Sequence, residues 1–246
     1  EENSVAIVLQ NERIDVQAKL IDGRCYMNIE DVQDLLNERF YYDVNEGLLL
    51  YTTPTQKMKN VVGTNVYSID GEEVQRDYTI SVADGENLYI ALDYVKEYTN
   101  FSYELFTEPN RMQLRTQWGS RESATIKKNT NVRKKGGVKS PILRAVAAGE
   151  IVTVLEEMET WTKVKTTDAM IGYVENKFLK DCTTEEEIAV TDYAVPEYTS
   201  IHRDYKINLG WHAIYSEAGN DTFDSVVDGT GTMNVISPTW FFLDGN

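Results

Sequence analysis

Two cysteines and two histidines in 246 residues leave this sequence little with which to build a metal site or a disulfide framework. Cys25 and Cys182 have neither CxxC spacing nor a histidine close by. They are expected to be buried free thiols in different domains, with a disulfide between them as the alternative. No apolar run reaches the roughly 18 residues that a membrane-spanning helix needs, so no membrane partner is expected. The opening residues EENSVAIV lack a basic stretch followed by an apolar one, which leaves a signal peptide already removed or never present. The motifs HExxH and GxSxG, the P-loop and the glycine-rich dinucleotide fingerprint are all missing, so no conventional enzyme, cofactor or metal is expected within these residues.

What the sequence does have is ordinary globular material, 41% hydrophobic and 26% charged, enough for two or three modest cores. The net charge of −16 is unevenly spread. Residues 1–118 carry −11, residues 119–184 carry +4, and residues 185–246 carry −9. Most of that surface repels a polyanion, so nucleic acid is not an expected partner. Only the middle segment can attract anions.

The first half contains an internal repeat. AIVLQNERIDVQAKLIDGRCYMNIEDVQDLLN (6–37) aligns with NVYSIDGEEVQRDYTISVADGENLYIALDYVKEYTN (65–100), with Asp22-Gly23 on Asp84-Gly85, Tyr26 on Tyr89 and Val32 on Val95. Each copy leads into an apolar extended stretch, GLLLYTT (47–53) or RMQLRTQ (111–117). Alternating apolar residues predict strands, and Asn11-Glu12, Asp70-Gly71 and the Asp-Gly pairs predict turns. Ile29, Val32, Leu35 and Leu36 recur at helical spacing behind Asn28, a predicted cap. This pattern resembles the copper amine oxidase N-terminal-like, or stalk, domain of secreted Gram-positive proteins. The resemblance implies a spacer or scaffold without copper, since both histidines, His202 and His212, fall outside it.

From Ser123 the texture changes to short β-rich runs separated by Gly136-Gly137 and Gly149, which suits a small antiparallel barrel. TNVRKKGGVKSPIL, a Gly-Glu before an apolar strand, WTKV and IGYVENKFL resemble, in that order, the bacterial SH3 family across 122–181. Trp161 and Tyr173 are candidate ligand-stacking aromatics, set against the need of so small a barrel to bury each large apolar side chain it has. The basic run Lys127, Lys128, Arg133, Lys134, Lys135 and Lys139 is a candidate contact for anionic wall polymers, or else a solvated loop.

TTEEEIAVTDYAVPEYTSIHRDYK (183–206) is read from its composition as a linker. KINLGWHAIYS then predicts a strand covered on both faces, TFDSVVDGT a helix with Phe223, Val226 and Val227 on one side and Gly229 at its end, and MNVISPTWFFL a second strand. KINLGWHAIYSEAGND and NVISPTWFFLDGN resemble the first strands of family 18 glycoside hydrolases, whose fold is a (β/α)8 barrel. The resemblance implies a chain cut inside its catalytic domain. The family's DxxDxDxE signature is absent, and Asp221, Asp224 and Asp228 imitate it only with the wrong spacing, on a predicted solvated helix face. No turnover is therefore expected. Trp240 is the best candidate for a sugar-facing aromatic; Trp211, Tyr215 and Phe242 are expected to pack.

Taken together, these readings predict a multidomain, mainly β protein with α+β parts. A duplicated ββα-type stalk domain (1–118) precedes an SH3-like β-barrel (119–182), a linker (183–206) and the truncated βαβ start of a (β/α)8 barrel (207–246). The expected role is the non-catalytic front of a secreted family 18 hydrolase, positioning it on cell-wall peptidoglycan or a chitin-like glycan, outside the cell or on the wall. A non-enzymatic wall adhesin or sensor is the alternative. The binding residues expected are Trp161, Tyr173, Arg133, Lys134, Lys135 and Trp240, with self-association through the terminal strands as a further possibility.

Overall fold

A computed structural model describes residues 3–189, 191, 193–198 and 203–239, and divides the chain into two compact units, Glu1–Pro196 and Glu197–Asn246. In the first unit the opening copy of the repeat forms β1 (Ser4–Leu9), β2 (Glu12–Ile21), β3 (Arg24–Asn28), α1 (Ile29–Leu35), β4 (Phe40–Asp43) and β5 (Leu48–Thr52). An extra strand, β6 (Lys57–Val61), leads into the second copy. That copy forms β7 (Val66–Ile69), β8 (Glu72–Gln75), β9 (Ser81–Asp84), β10 (Asn87–Ala91), α2 (Leu92–Val95), β11 (Ser102–Phe106) and β12 (Arg111–Arg115). The strands assemble as one sheet ordered β11-β12-β1-β2-β3-β10-β9 and a second ordered β4-β5-β6-β7-β8.

The two copies are interlaced. β3 and β10 pair antiparallel with Met27 opposite Ile90 and Tyr26 opposite Ala91. Because Tyr26 corresponds to Tyr89 in the repeat, Met27 corresponds to Ile90, so equivalent residues face each other across a local twofold. Both are fully buried, as are the equivalent helix residues Val32 and Val95. The closing hairpin of the second copy docks on the opening strand of the first, β12 pairing parallel with β1 and Leu9 opposite Leu114. In the other sheet β6 is inserted at the corresponding place, so β5 and β7 are parallel but one strand apart. Phe40 and Tyr51 from the first copy meet Tyr94 and Tyr98 from the second, with Phe40–Tyr51 and Tyr51–Tyr98 centroids 4.8 and 4.6 Å apart. Neither copy has a closed core of its own.

Turn chemistry follows the expected residues, with shifted frames. Ile21 pairs with Arg24, leaving Asp22 and Gly23 as a two-residue turn at φ +49° and +78°, the positive values a type I′ hairpin requires. Asp84 instead pairs with Asn87, so its turn is Gly85-Glu86. The first turn is Gln10-Asn11, because Leu9 pairs with Glu12. Asn28 caps α1 as expected, its Oδ1 accepting from the Glu30 amide at 3.0 Å.

The second part of this unit is a seven-stranded antiparallel barrel sheet: β13 (Ser120–Ile126), β14 (Thr130–Arg133), β15 (Ile142–Val146), β16 (Ile151–Glu157), β17 (Trp161–Thr166), β18 (Ile171–Glu175) and β19 (Leu179–Glu186), ordered β15-β14-β18-β17-β16-β13-β19. A 3-10 turn, Asn176–Phe178, joins β18 to β19. Its core is small and aliphatic, built from Ala124, Ile126, Val132, Val146, Val152, Val154, Val164 and Val174. The barrel runs past residue 182, so the first residues of the expected linker are a strand. Ser120 pairs with Glu186 and Ser123 with Thr183, and the acidic run finds Arg121 at Glu185 and Glu187. Cys182, expected to be buried, is exposed on this edge strand; Cys25 is buried, neither forms a disulfide, and burial pushes the Cys25 thiol up to about 11.

In the second unit β20 (Leu209–His212) and β21 (Val235–Pro238) pair in parallel, with α3 (Glu217–Asp221) and α4 (Phe223–Asp228) between them. Parallel neighbours need such a crossover. The strand is shorter than the apolar run, and Trp211 and Tyr215, expected to pack, are 81% and 82% exposed. Asp221, Asp224 and Asp228 are exposed, as expected; Phe223 and Val226 are half-buried but Val227 is open to solvent. Trp240 and Phe242 lie outside the described residues.

Met27→Ala and Ile90→Ala each remove a fully buried side chain at the local twofold and are expected to cost about 2–5 kcal/mol in urea unfolding. A double-mutant cycle is expected to show a coupling of about 0.5–3 kcal/mol, because the two occupy one contact. Simple additivity would contradict a shared centre.

Candidate functional site

Four strands of the barrel set a row of side chains on its outer face. Arg133 of β14 stands opposite Tyr173 of β18, Tyr173 opposite Lys163 of β17, and Lys163 opposite Glu156 of β16. Directly opposed residues share a face. The other face carries Val132, Gly172, Val174 and Val164 into the core. Trp161, two residues before Lys163, lies on the outer face opposite Glu175. Of the expected binding residues, Arg133, Tyr173 and Trp161 are thus brought together, all half-buried. Lys163 joins them and was missed by the sequence reading, although its position two after Trp161 in a strand was the available signal.

Trp161 is half covered because the loop lies across it: a Cβ at Gly136 would fall 3.1 Å from the indole Cγ. The loop itself is held by backbone and side chain alike. Lys134 donates its amide to Pro141 at 2.9 Å, Lys135 its amide to Ser140 Oγ at 2.8 Å, and Arg133 Nη1 donates to the Ser140 carbonyl at 2.7 Å. Lys134, Lys135 and Lys139 therefore project from a folded loop and are exposed. Lys127 and Lys128 belong elsewhere. Lys128 and Lys177 each place an ammonium 5.1 Å from the Phe178 ring, so the basic run divides into two clusters. Among the described residues no group of three or more His, Cys, Asp or Glu side chains is placed to hold a metal ion.

One glycine sets the approach of β14 to β18. A Cβ at Gly172 would lie 2.6 Å from the Arg133 carbonyl and 2.6 Å from Val132 Cγ1. No side chain fits where two backbones pass so closely.

The barrel is fastened to the duplicated domain by buried polar groups. Arg111, 7% exposed, donates to the Asp168 carbonyl at 2.6 Å, forms an ion pair with the Asp168 carboxylate, and donates to the Pro109 carbonyl at 2.9 Å. Arg115 pairs with Glu187, which also meets Arg121 at 2.9 Å. Lys165, 3% exposed, donates from Nζ to the Gln10 carbonyl at 2.6 Å and to Asn11 Oδ1 at 2.8 Å. Burial, with the Arg115 charge nearby, lowers the Lys165 ammonium to about 8. A neutral amine still supplies the two N–H donors these acceptors use.

With this geometry in hand, residues 128–180 match the bacterial SH3 domain, which assigns the barrel to that class of module. No curated protein matches the chain. Two solved structures are similar over part of it, NlpC2 and NlpC1 from Trichomonas vaginalis, at 15% and 14% identity and a TM-score of 0.23 each. The alignments cover 58% of this chain and 43% and 41% of theirs, so the chain spans less than half their length.

Gly172→Ala is expected to destabilise the barrel by about 1–3 kcal/mol and to separate Arg133 from Tyr173, read by chemical denaturation and amide exchange in β14. Lys165 gives a pH dependence. Its folded value lies below the ordinary 10.5, so between about pH 8 and 10 the unfolded chain binds a proton that the folded chain has released, and stability rises with pH. The gain, on the order of 2–3 kcal/mol at most, is expected in thermal or urea midpoints of the native chain and absent from Lys165→Met.

Proposed function

We propose that this chain is a wall-binding, non-catalytic segment of a secreted bacterial protein, in which the SH3-type barrel contacts peptidoglycan or an associated anionic polymer. The observation that carries this reading is the bacterial SH3 match over 128–180, on a barrel whose outer face groups Trp161, Tyr173, Arg133 and Lys163 beside the exposed Lys134 and Lys135. Aromatic faces suit sugar rings, and the cations supply long-range attraction that the acidic remainder of the chain lacks. The duplicated domain serves in this reading as a stalk, consistent with its resemblance to the copper amine oxidase N-terminal-like repeats.

The parent enzyme is a finer proposal. The parallel β20–β21 pair with helices between it supports reading 207–246 as the first βαβ unit of a family 18 hydrolase barrel. Its alternative is an adhesin or sensor without catalytic function. A DxxDxDxE strand in the parent polypeptide favours the first, and its absence from that polypeptide favours the second.

Retention on purified wall material is the test. Reversing Arg133, Lys134 and Lys135 to glutamate is expected to reduce retention of the full chain about tenfold in low salt and much less at high ionic strength, where surface charges are screened. Equal retention by the reversed and native chains would remove the electrostatic contribution.

A further inference from the structure

An open groove of about 640 Å³ runs between the barrel and the duplicated domain, away from the Gly136-Gly137 loop. One wall is the β1–β2 turn and the start of β2, with Leu9, Glu12 and Ile14; the other is β16 and the neighbouring β17, with Leu155, Glu156 and Lys163. Leu155 faces the groove for a local reason. Val154 pairs with Val164 and Glu156 with Lys163, so Leu155 is the extra residue of a β-bulge, a device that re-aims a side chain.

Two features give the groove a chemistry. Leu9, Ile14 and Leu155 form a half-exposed apolar floor. Glu12 and Glu156 are exposed at its rim and take part in no ion pair among the described residues, although Lys163 stands across from Glu156 in the ladder. The turn wall is also fixed in place, since the Lys165 ammonium underneath holds the Gln10 carbonyl and the Asn11 side chain. A wall already held in position costs a ligand less ordering.

We propose that this groove binds a short peptide in which an apolar residue precedes a basic one, the apolar side chain lying on Leu9, Ile14 and Leu155 and the cation between Glu12 and Glu156. The duplicated domain then supplies half of a binding site. The groove shares Glu156 and Lys163 with the outer-face row, but Lys134 and Lys135 of the cationic loop do not line it.

The experiment titrates the full chain with the blocked tetrapeptide Ala-Leu-Lys-Ala, followed by calorimetry and amide shifts, with Ala-Leu-Glu-Ala as the comparison. Shifts confined to 9–14, 154–156 and 163 are expected, with a Kd weakened about five- to tenfold in the near-isosteric Glu12→Gln/Glu156→Gln variant from the loss of two exposed ion pairs. The Arg133, Lys134 and Lys135 reversals are expected to leave that Kd within about twofold, since they lie outside the groove. The absence of shifts with the lysine peptide, an equal response to the glutamate peptide, or an unaltered Kd in the double variant would each overturn the proposal. Wall retention is scored separately, so failure of the loop reading and failure of the groove are told apart.

Discussion

The buried guanidinium of Arg111 is the constraint on which the arrangement of the first unit depends. It leaves the end of the duplicated domain and meets both the carbonyl and the carboxylate of Asp168 in the barrel, with side-chain exposures of 8% and 23%. A guanidinium so far out of water is costly unless its donors are satisfied, and here the Asp168 and Pro109 oxygens satisfy them. Such a joint has directional demands that an apolar contact lacks. Together with Lys165 on the Gln10 carbonyl and Arg115 on Glu187, it sets the barrel on the duplicated domain at one orientation.

In that orientation the duplicated domain lines the groove beside the barrel. Its first hairpin turn forms a wall of the groove beside β16, and the carboxylates there contrast with the lysines of the β14–β15 loop. Two surfaces of differing charge thus lie on one compact unit. The interlaced repeat ties its two halves together. With Met27 against Ile90, and Leu114 of one copy against Leu9 of the other, neither half is able to move without opening the core of its partner.

Much of this was legible in one dimension. The Asp-Gly hairpin at 22–23, the Asn28 cap, the duplication and the barrel strands all rest on local rules, such as positive φ at a turn or alternation along a strand, and those rules act within a few residues. Errors arose where local chemistry served a distant partner. The TTEEE run looks like a linker by composition, yet its carboxylates and backbone are matched by Arg121 and by β13. The apolar sequence around Trp211 looks like a strand enclosed on both faces, but the indole is open to solvent.

Element types, the repeat, the barrel's class and the sign of charge in each segment follow from the order of residues, because hydrophobic period, turn residues and ionisable groups are local properties. Tertiary structure alone decided which elements pair. It exchanged the hairpins of the two copies, placed Lys163 beside Tyr173, divided the basic run into two clusters, and buried Arg111 and Lys165 at a joint. Those outcomes follow from backbone hydrogen bonding and desolvation between residues as far apart as Gln10 and Lys165, and no window of neighbouring residues contains that information.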